Sequence, residues 1–123
     1  MPQYWLVGAY RLGTEPHDEE FVARGFWKLF HSDEDEPGYA ALRDQIKPGD
    51  RIAIKRMRGR GNRGIVITTL GIVTGRVGKR VKVNWVARKL DRVVASKGCF
   101  GSIHGPFASK GKDAKWIRDV FLL

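Results

Sequence analysis

Apolar positions along the chain fall into segments of two different periods. Tyr4 to Tyr10 (Tyr-Trp-Leu-Val-Gly-Ala-Tyr) is apolar at odd and even positions alike, the pattern of a strand covered on both faces and so central in a sheet or barrel. Pro16 and the acidic residues after it open a short helix that carries Phe21, Val22 and Ala23 and ends near Gly25. His31 to Gly38 is an acidic loop closed by proline and glycine, after which Tyr39, Leu42 and Ile46 recur at helical spacing. Beyond the Pro48-Gly49 turn, Ile52 and Ile54 alternate with Arg51, Ala53 and Lys55, which predicts a strand with one apolar face. Ile65 to Val73 is β-branched, Gly75 to Lys79 makes a turn, and Val81 to Trp85 follows, so these segments read as consecutive antiparallel strands. Gly98 to Gly105 predicts a further strand with a bulge. Trp116, Ile117, Val120 and Phe121 share one face of a final helix.

These elements predict one α+β domain over residues 1–123, a strongly curved sheet or barrel of about five or six strands with two or three flanking helices. No repeat or linker interrupts it. No apolar run approaches the roughly 20 residues of a membrane span, and no secretory leader precedes Tyr4, so a soluble, cytoplasmic protein is expected. The single cysteine, Cys99, excludes an internal disulfide framework and a cysteine-rich zinc cluster.

Charge sharpens the picture. Twenty-three Lys and Arg oppose 13 Asp and Glu, a formal charge of +10, and the acids gather early, at Glu15 to Glu20 and Asp33 to Glu36. The chain from Lys47 onward is therefore strongly basic, as suits a polyanion whose affinity falls with salt; a solvated basic surface is the plain alternative. The basic character peaks in Lys47 to Gly64, a turn and strand running into a glycine-arginine loop. Arg56, Arg58, Arg60 and Arg63 there offer guanidinium forks to a phosphate backbone, and Lys79, Arg80 and Lys82 on the next hairpin extend the same patch. The alternative is a hairpin tip kept basic for solubility. Gly59 to Gly64 spells a Gly-x-Gly-x-x-Gly string, but it lacks the strand-turn-helix setting of a nucleotide-cofactor site.

The order Tyr4-Trp5-Leu6-Val7-Gly8-Ala9, Gly25-Phe26-Trp27, Lys47-Pro48-Gly49-Asp50-Arg51-Ile52-Ala53-Ile54-Lys55, Gly71-Ile72-Val73-Thr74-Gly75 and Val81-Lys82-Val83-Asn84-Trp85 resembles the EVE-type modules of the PUA-like superfamily. It is most similar to the DNA-recognition domains in front of McrB-type methylation-dependent restriction GTPases. The resemblance spans Tyr4 to about Phe121 and implies a PUA-like β-barrel that flips a modified base into an aromatic pocket. It also implies an effector nuclease or GTPase, as a domain or subunit, for a partner.

Unstacking a base costs a few kcal/mol, and each aromatic wall returns roughly 1–3 kcal/mol, so the pocket needs rings that the core does not use. Four Trp, three Tyr and six Phe are available. The base-pocket candidates are Tyr10, Phe26, Trp27, Trp85, Phe100 and His104. For Trp27 the family context favours a cage wall, with a core position the alternative. Tyr10 is a rim ring or a buried tyrosine, and Trp85 shares the parity of the core residues Val81 and Val83. Trp5 and Trp116 read as core.

Catalysis finds little support. His17, His31 and His104 lack metal-ligand spacing, Cys99 reads as a small buried residue, and Asp33 to Glu36 read as a solvated acidic loop. No metal or cofactor is expected. The preferred function is a reader of a modified base (methylated or hydroxymethylated cytosine, or methyladenine), with DNA favoured over RNA as the partner. The alternatives are a PUA-like RNA-binding module without modified-base selectivity and a small nucleobase enzyme.

Overall fold

The computed structural model describes residues 2–11, 14–58 and 64–122. In chain order these form β1 (Tyr4–Val7), β2 (Tyr10–Arg11), β3 (Glu15–Pro16), α1 (Asp18–Arg24), β4 (Phe26–Trp27), α2 (Pro37–Gln45), β5 (Arg51–Met57), β6 (Gly64–Val77), β7 (Arg80–Ala87), β8 (Arg92–Ala95), β9 (Ile103–Phe107) and α3 (Ala114–Phe121). One mixed sheet runs β4-β7-β6-β5-β1-β9, with β8 also paired to β6, and β2 and β3 form a separate ribbon. The α+β class is as expected. The sheet is not a closed barrel, because its path ends at β4 on one side and β9 on the other.

Within this sheet β1 and β5 run parallel, with Trp5 opposite Ile52 and Val7 opposite Ile54. Alternation sends these four side chains to one face, where they pack with Phe21 of α1 and with Ile46 at the end of α2. Leu6 and Ala53 point the other way, onto Trp116, Ile117 and Val120 of α3. Both faces are thus covered. This corrects the single apolar face expected of Ile52 to Lys55: Ala53 and Lys55 are buried as well, because α3 and the loop before β9 close the second side.

A buried carboxylate fastens the start of this pair. Asp50 accepts hydrogen bonds from Trp5 Nε1 at 2.9 Å, Gln3 N at 3.1 Å and Lys47 N at 3.2 Å. The Lys-Pro-Gly-Asp turn is therefore a clasp that ties the entry of β5 to β1. The acidic loop is anchored in a similar way, since the buried Arg43 of α2 grips Asp33 through both guanidinium nitrogens, at 2.9 and 3.2 Å. Arg76 of β6 caps the same helix by donating to the carbonyls of Arg43 and Ile46, both at 2.8 Å.

β6 is 14 residues long and changes partners along its length. Gly64 to Ile67 pair with β8, and Leu70 to Val77 pair with β7, while β5 lies along its other edge. Gly71 sits at an irregularity in the ladder where any Cβ would lie 2.3 Å from Val83 Cγ1 and 2.7 Å from Trp85 Cε3. The missing side chain lets Trp85 lie flat over the strand.

Candidate nucleic-acid interface

Four chain segments meet at the carboxyl ends of β1 and β5 and enclose a cavity of about 760 Å³. That volume falls within the roughly 300–1,000 Å³ typical of small-ligand sites. Gly8 to Arg11 leave β1, Lys55 to Arg58 end β5, Phe100 to Ser102 precede β9, and Phe30, His31 and Tyr39 come from the α2 side. Its walls carry the rings of Tyr10, Phe30, Tyr39 and Phe100. Arg11, Lys55, Arg56 and Arg58 supply the charge, and no carboxylate lies among the described lining residues.

Two of the expected pocket rings line this cavity. Tyr10 is 40% exposed and Phe100 50%, so each keeps a free face. The others are placed elsewhere, for physical reasons. Trp27 is fully buried and donates its indole N–H to the Gly8 carbonyl at 2.8 Å, which makes it a support under the cavity floor and not a wall. Phe26 is buried beside Phe21, and the Arg80 guanidinium covers its ring at 4.7 Å. Trp85 packs over Gly71 and donates to the Phe21 carbonyl at 2.9 Å, locking β7 to α1. His104 lies behind the lining, where its Nε2 accepts the Gly101 N–H at 2.8 Å. Desolvation holds its pKa below the usual histidine value, and the Lys55 charge adds to that effect.

Several lining residues were not singled out from the pattern. Tyr39 counts by spacing as a core residue of α2, yet its hydroxyl reaches Gly101, where a Cβ would stand 2.6 Å from it. Its ring packs on His31 at 5.4 Å between centroids, and His31 Nε2 shares a 2.9 Å hydrogen bond with Ser102 Oγ. Phe30 stacks on Phe21 and meets the ring of His17 at 4.7 Å. The sequence signal for Phe30 and Tyr39 was present only as surplus aromatics, since which ring faces the cavity depends on how the 28–36 loop is pinned by Asp33.

Lys55 is the least expected member. It is 5% exposed, it lines the cavity, and among the described residues its ammonium has neither a hydrogen-bond acceptor nor a carboxylate partner. Burial pushes its pKa below the ordinary lysine value. The nearby Cys99 thiol, raised by the same desolvation, stays neutral and gives no counter-charge.

A second cavity of about 640 Å³ adjoins the first, sharing Tyr10 and Arg56 as a partition. Its lining includes Thr68, Thr69, Arg88 and Lys89, with Asp18, Glu19 and Asp91 opposite. Together the cavities make a groove that runs past Tyr10 and Arg56. Arg56 and Arg58 line it as expected of a backbone grip, whereas Arg60 and Arg63 lie outside the described residues.

Lys79, Arg80 and Lys82 line neither cavity. The expectation that they extend the same patch is corrected by topology: Met57 pairs with Ile65 at one end of β6, while Arg80 pairs with Val77 at the other. Lys79 instead sits 3.4 Å from Asp33, and Arg80 covers Phe26.

Among the described residues no group of three His, Cys, Asp or Glu side chains is placed to hold a metal ion, and no helix is long and apolar enough to cross a membrane. No protein-family model and no curated protein matches this chain.

Proposed function

We propose that the protein is a nucleic-acid-binding module of PUA-like, EVE-type descent that takes a modified base into the first cavity while Arg56 and Arg58 hold the backbone, with DNA its partner over RNA. One observation carries the reading: a cavity of ligand size combines four aromatic rings with four cations and no carboxylate among its described lining residues. Rings with a free face offer stacking to any base, and the cations neutralise the phosphates that accompany it. The base is the ligand that uses both. Tyr10 and Phe100 are the stacking walls retained from the sequence, joined by Phe30 and Tyr39. The module delivers a nuclease or GTPase effector to the modified site.

The test is a fluorescence-anisotropy titration of matched oligonucleotides carrying 5-methylcytosine, hydroxymethylcytosine, methyladenine or no modification, in DNA and RNA form, at two salt concentrations. One modified DNA is expected to bind tightest. Phe100→Ala should erase about 1–3 kcal/mol of that preference, the worth of one stacked base, while leaving unmodified DNA nearly unaffected. Equal affinity for every oligonucleotide with a steep salt slope would refute base reading and leave a backbone binder of the RNA-binding PUA-like kind.

A further inference from the structure

The cavity floor holds a group that the stacking and backbone contacts do not explain. Lys55 is 95% removed from solvent, and its ammonium faces the cavity without a hydrogen-bond or carboxylate partner among the described residues. A charge whose hydration is cut back to the cavity side is stabilised by a ligand that brings acceptors there. The polar groups named at this end of the cavity each have another partner. The Gly8 carbonyl takes the Trp27 indole, the Ser102 carbonyl takes the Gly8 N–H, the Ser102 hydroxyl pairs with His31, and His104 Nε2 takes the Gly101 N–H. Gly8 borders the ammonium, since a Cβ there would lie 3.9 Å from Lys55 Nζ.

An ammonium carries three donors and no acceptor. It therefore complements two adjacent acceptors on a base edge and gains less from a ring acceptor whose neighbour is an amino group alone. On the pairing edge of cytosine a ring nitrogen and a carbonyl oxygen are neighbours, and guanine offers a carbonyl beside a ring nitrogen. Adenine sets its amino group beside the ring acceptors on both edges. A 5-substituent on cytosine lies on the ring's far side from the carbonyl, so it leaves the contact intact.

We propose that Lys55 is the specificity-determining donor of the cavity, reading paired acceptors on the inserted base and selecting against adenine. The inference rests on the base-reading function above. Its test uses the same oligonucleotide context carrying 5-methylcytosine, N6-methyladenine or no modification, with the full chain and with Lys55→Met, which keeps length and loses the donors. The full chain is expected to prefer 5-methylcytosine over N6-methyladenine by on the order of ten- to a hundred-fold, the discrimination of one good two-acceptor contact. Lys55→Met should bring that ratio to about one. Lys55→Gln, which retains one amide donor group, should give an intermediate ratio, and thermal melts of both variants establish that they are folded.

A modified-over-unmodified preference that survives Lys55→Met with its base ratio unchanged overturns the Lys55 assignment alone. A preference for N6-methyladenine in the full chain overturns it as well. If no modified oligonucleotide is preferred over the unmodified one, the base-reading function itself fails and the assignment falls with it.

Discussion

Replacing Asp50 tests the clasp that positions the floor of the cavity, since this residue holds β5 against β1 at the end opposite Lys55. Its carboxylate receives three donors, of which Trp5 Nε1 is buried. Hydrogen bonds to a charged group contribute about 1.5–3 kcal/mol each, and a stripped buried donor costs about 1–3 kcal/mol. In Asp50→Asn the one remaining oxygen can serve Trp5 and Lys47 while the amide turns its own donors on Gln3 N. One bond is lost and two are weakened, a destabilisation of about 2–3 kcal/mol. Asp50→Ala strips all three donors and should cost about 4–5 kcal/mol, a large share of the roughly 5–15 kcal/mol that holds a domain folded.

Urea unfolding followed by tryptophan fluorescence measures both. At roughly 3–5 °C per kcal/mol for a chain of this size, Asp50→Asn should also lower Tm by about 6–15 °C. A double-mutant cycle with Trp5→Phe isolates the indole bond and should show coupling of about 1 kcal/mol or more. An Asp50→Ala midpoint shift worth less than about 1 kcal/mol at unchanged m, or a cycle without coupling, refutes the clasp.

Three further outcomes follow from the same geometry. The hydrogen bond from Arg43 holds the Asp33 carboxyl down from 3.8 to about 2, so its contribution is complete above 3.8 and is lost as pH falls toward 2. Stability of Asp33→Asn, measured by unfolding at a series of pH values, should therefore fall less steeply across that window; an unchanged slope would remove the anchor. Gly71→Ala should cost about 1–3 kcal/mol by overpacking against Val83 and Trp85, and Val83→Ala in the same chain should restore part of it in a thermal melt. Arg56→Ala with Arg58→Ala should flatten the dependence of log affinity on log salt by about two for duplex DNA, while Arg80→Ala with Lys82→Ala leaves it unchanged, because only the first pair lines the groove.

The parts of the fold that were legible in the chain are those set by period and punctuation. Phe21 to Gly25, Tyr39 to Ile46 and Trp116 to Phe121 all lie on helices or at their caps, and Ile52 to Ile54 and Val81 to Trp85 lie on strands. β8 escaped notice because Val93 and Val94 are too short an apolar run to show a period, and β4 is only two residues long. β1 ends at Val7, short of the expected Tyr10, because Gly8 and Ala9 break from the ladder to shape the cavity. The site was harder to read for a related reason. Tyr10 and Phe100 border glycines at strand ends, which is a local signal, but Trp27 looked free only because the Gly8 carbonyl that receives its indole lies 19 residues away. Hydrogen bonds of that reach follow from topology.

The two buried charges of β5 and its entry turn show how structure separates a structural group from a ligand-facing one. Asp50 and Lys55 are about equally hidden, and both pay the desolvation that burial imposes. Asp50 recovers it through three donors, so removing it should weaken the fold whether or not a ligand is present. Lys55 recovers nothing from the described residues, and its lowered pKa marks a penalty that is complete below the folded value and relieved as pH rises through it toward the unfolded 10.5. Lys55→Met should therefore raise the stability of the ligand-free protein at pH 7, and raise it less at pH 10, in the same melts that establish its folding. A Lys55→Met protein that is less stable than its parent at pH 7 would mean that the ammonium is satisfied within the fold and does not wait for a base.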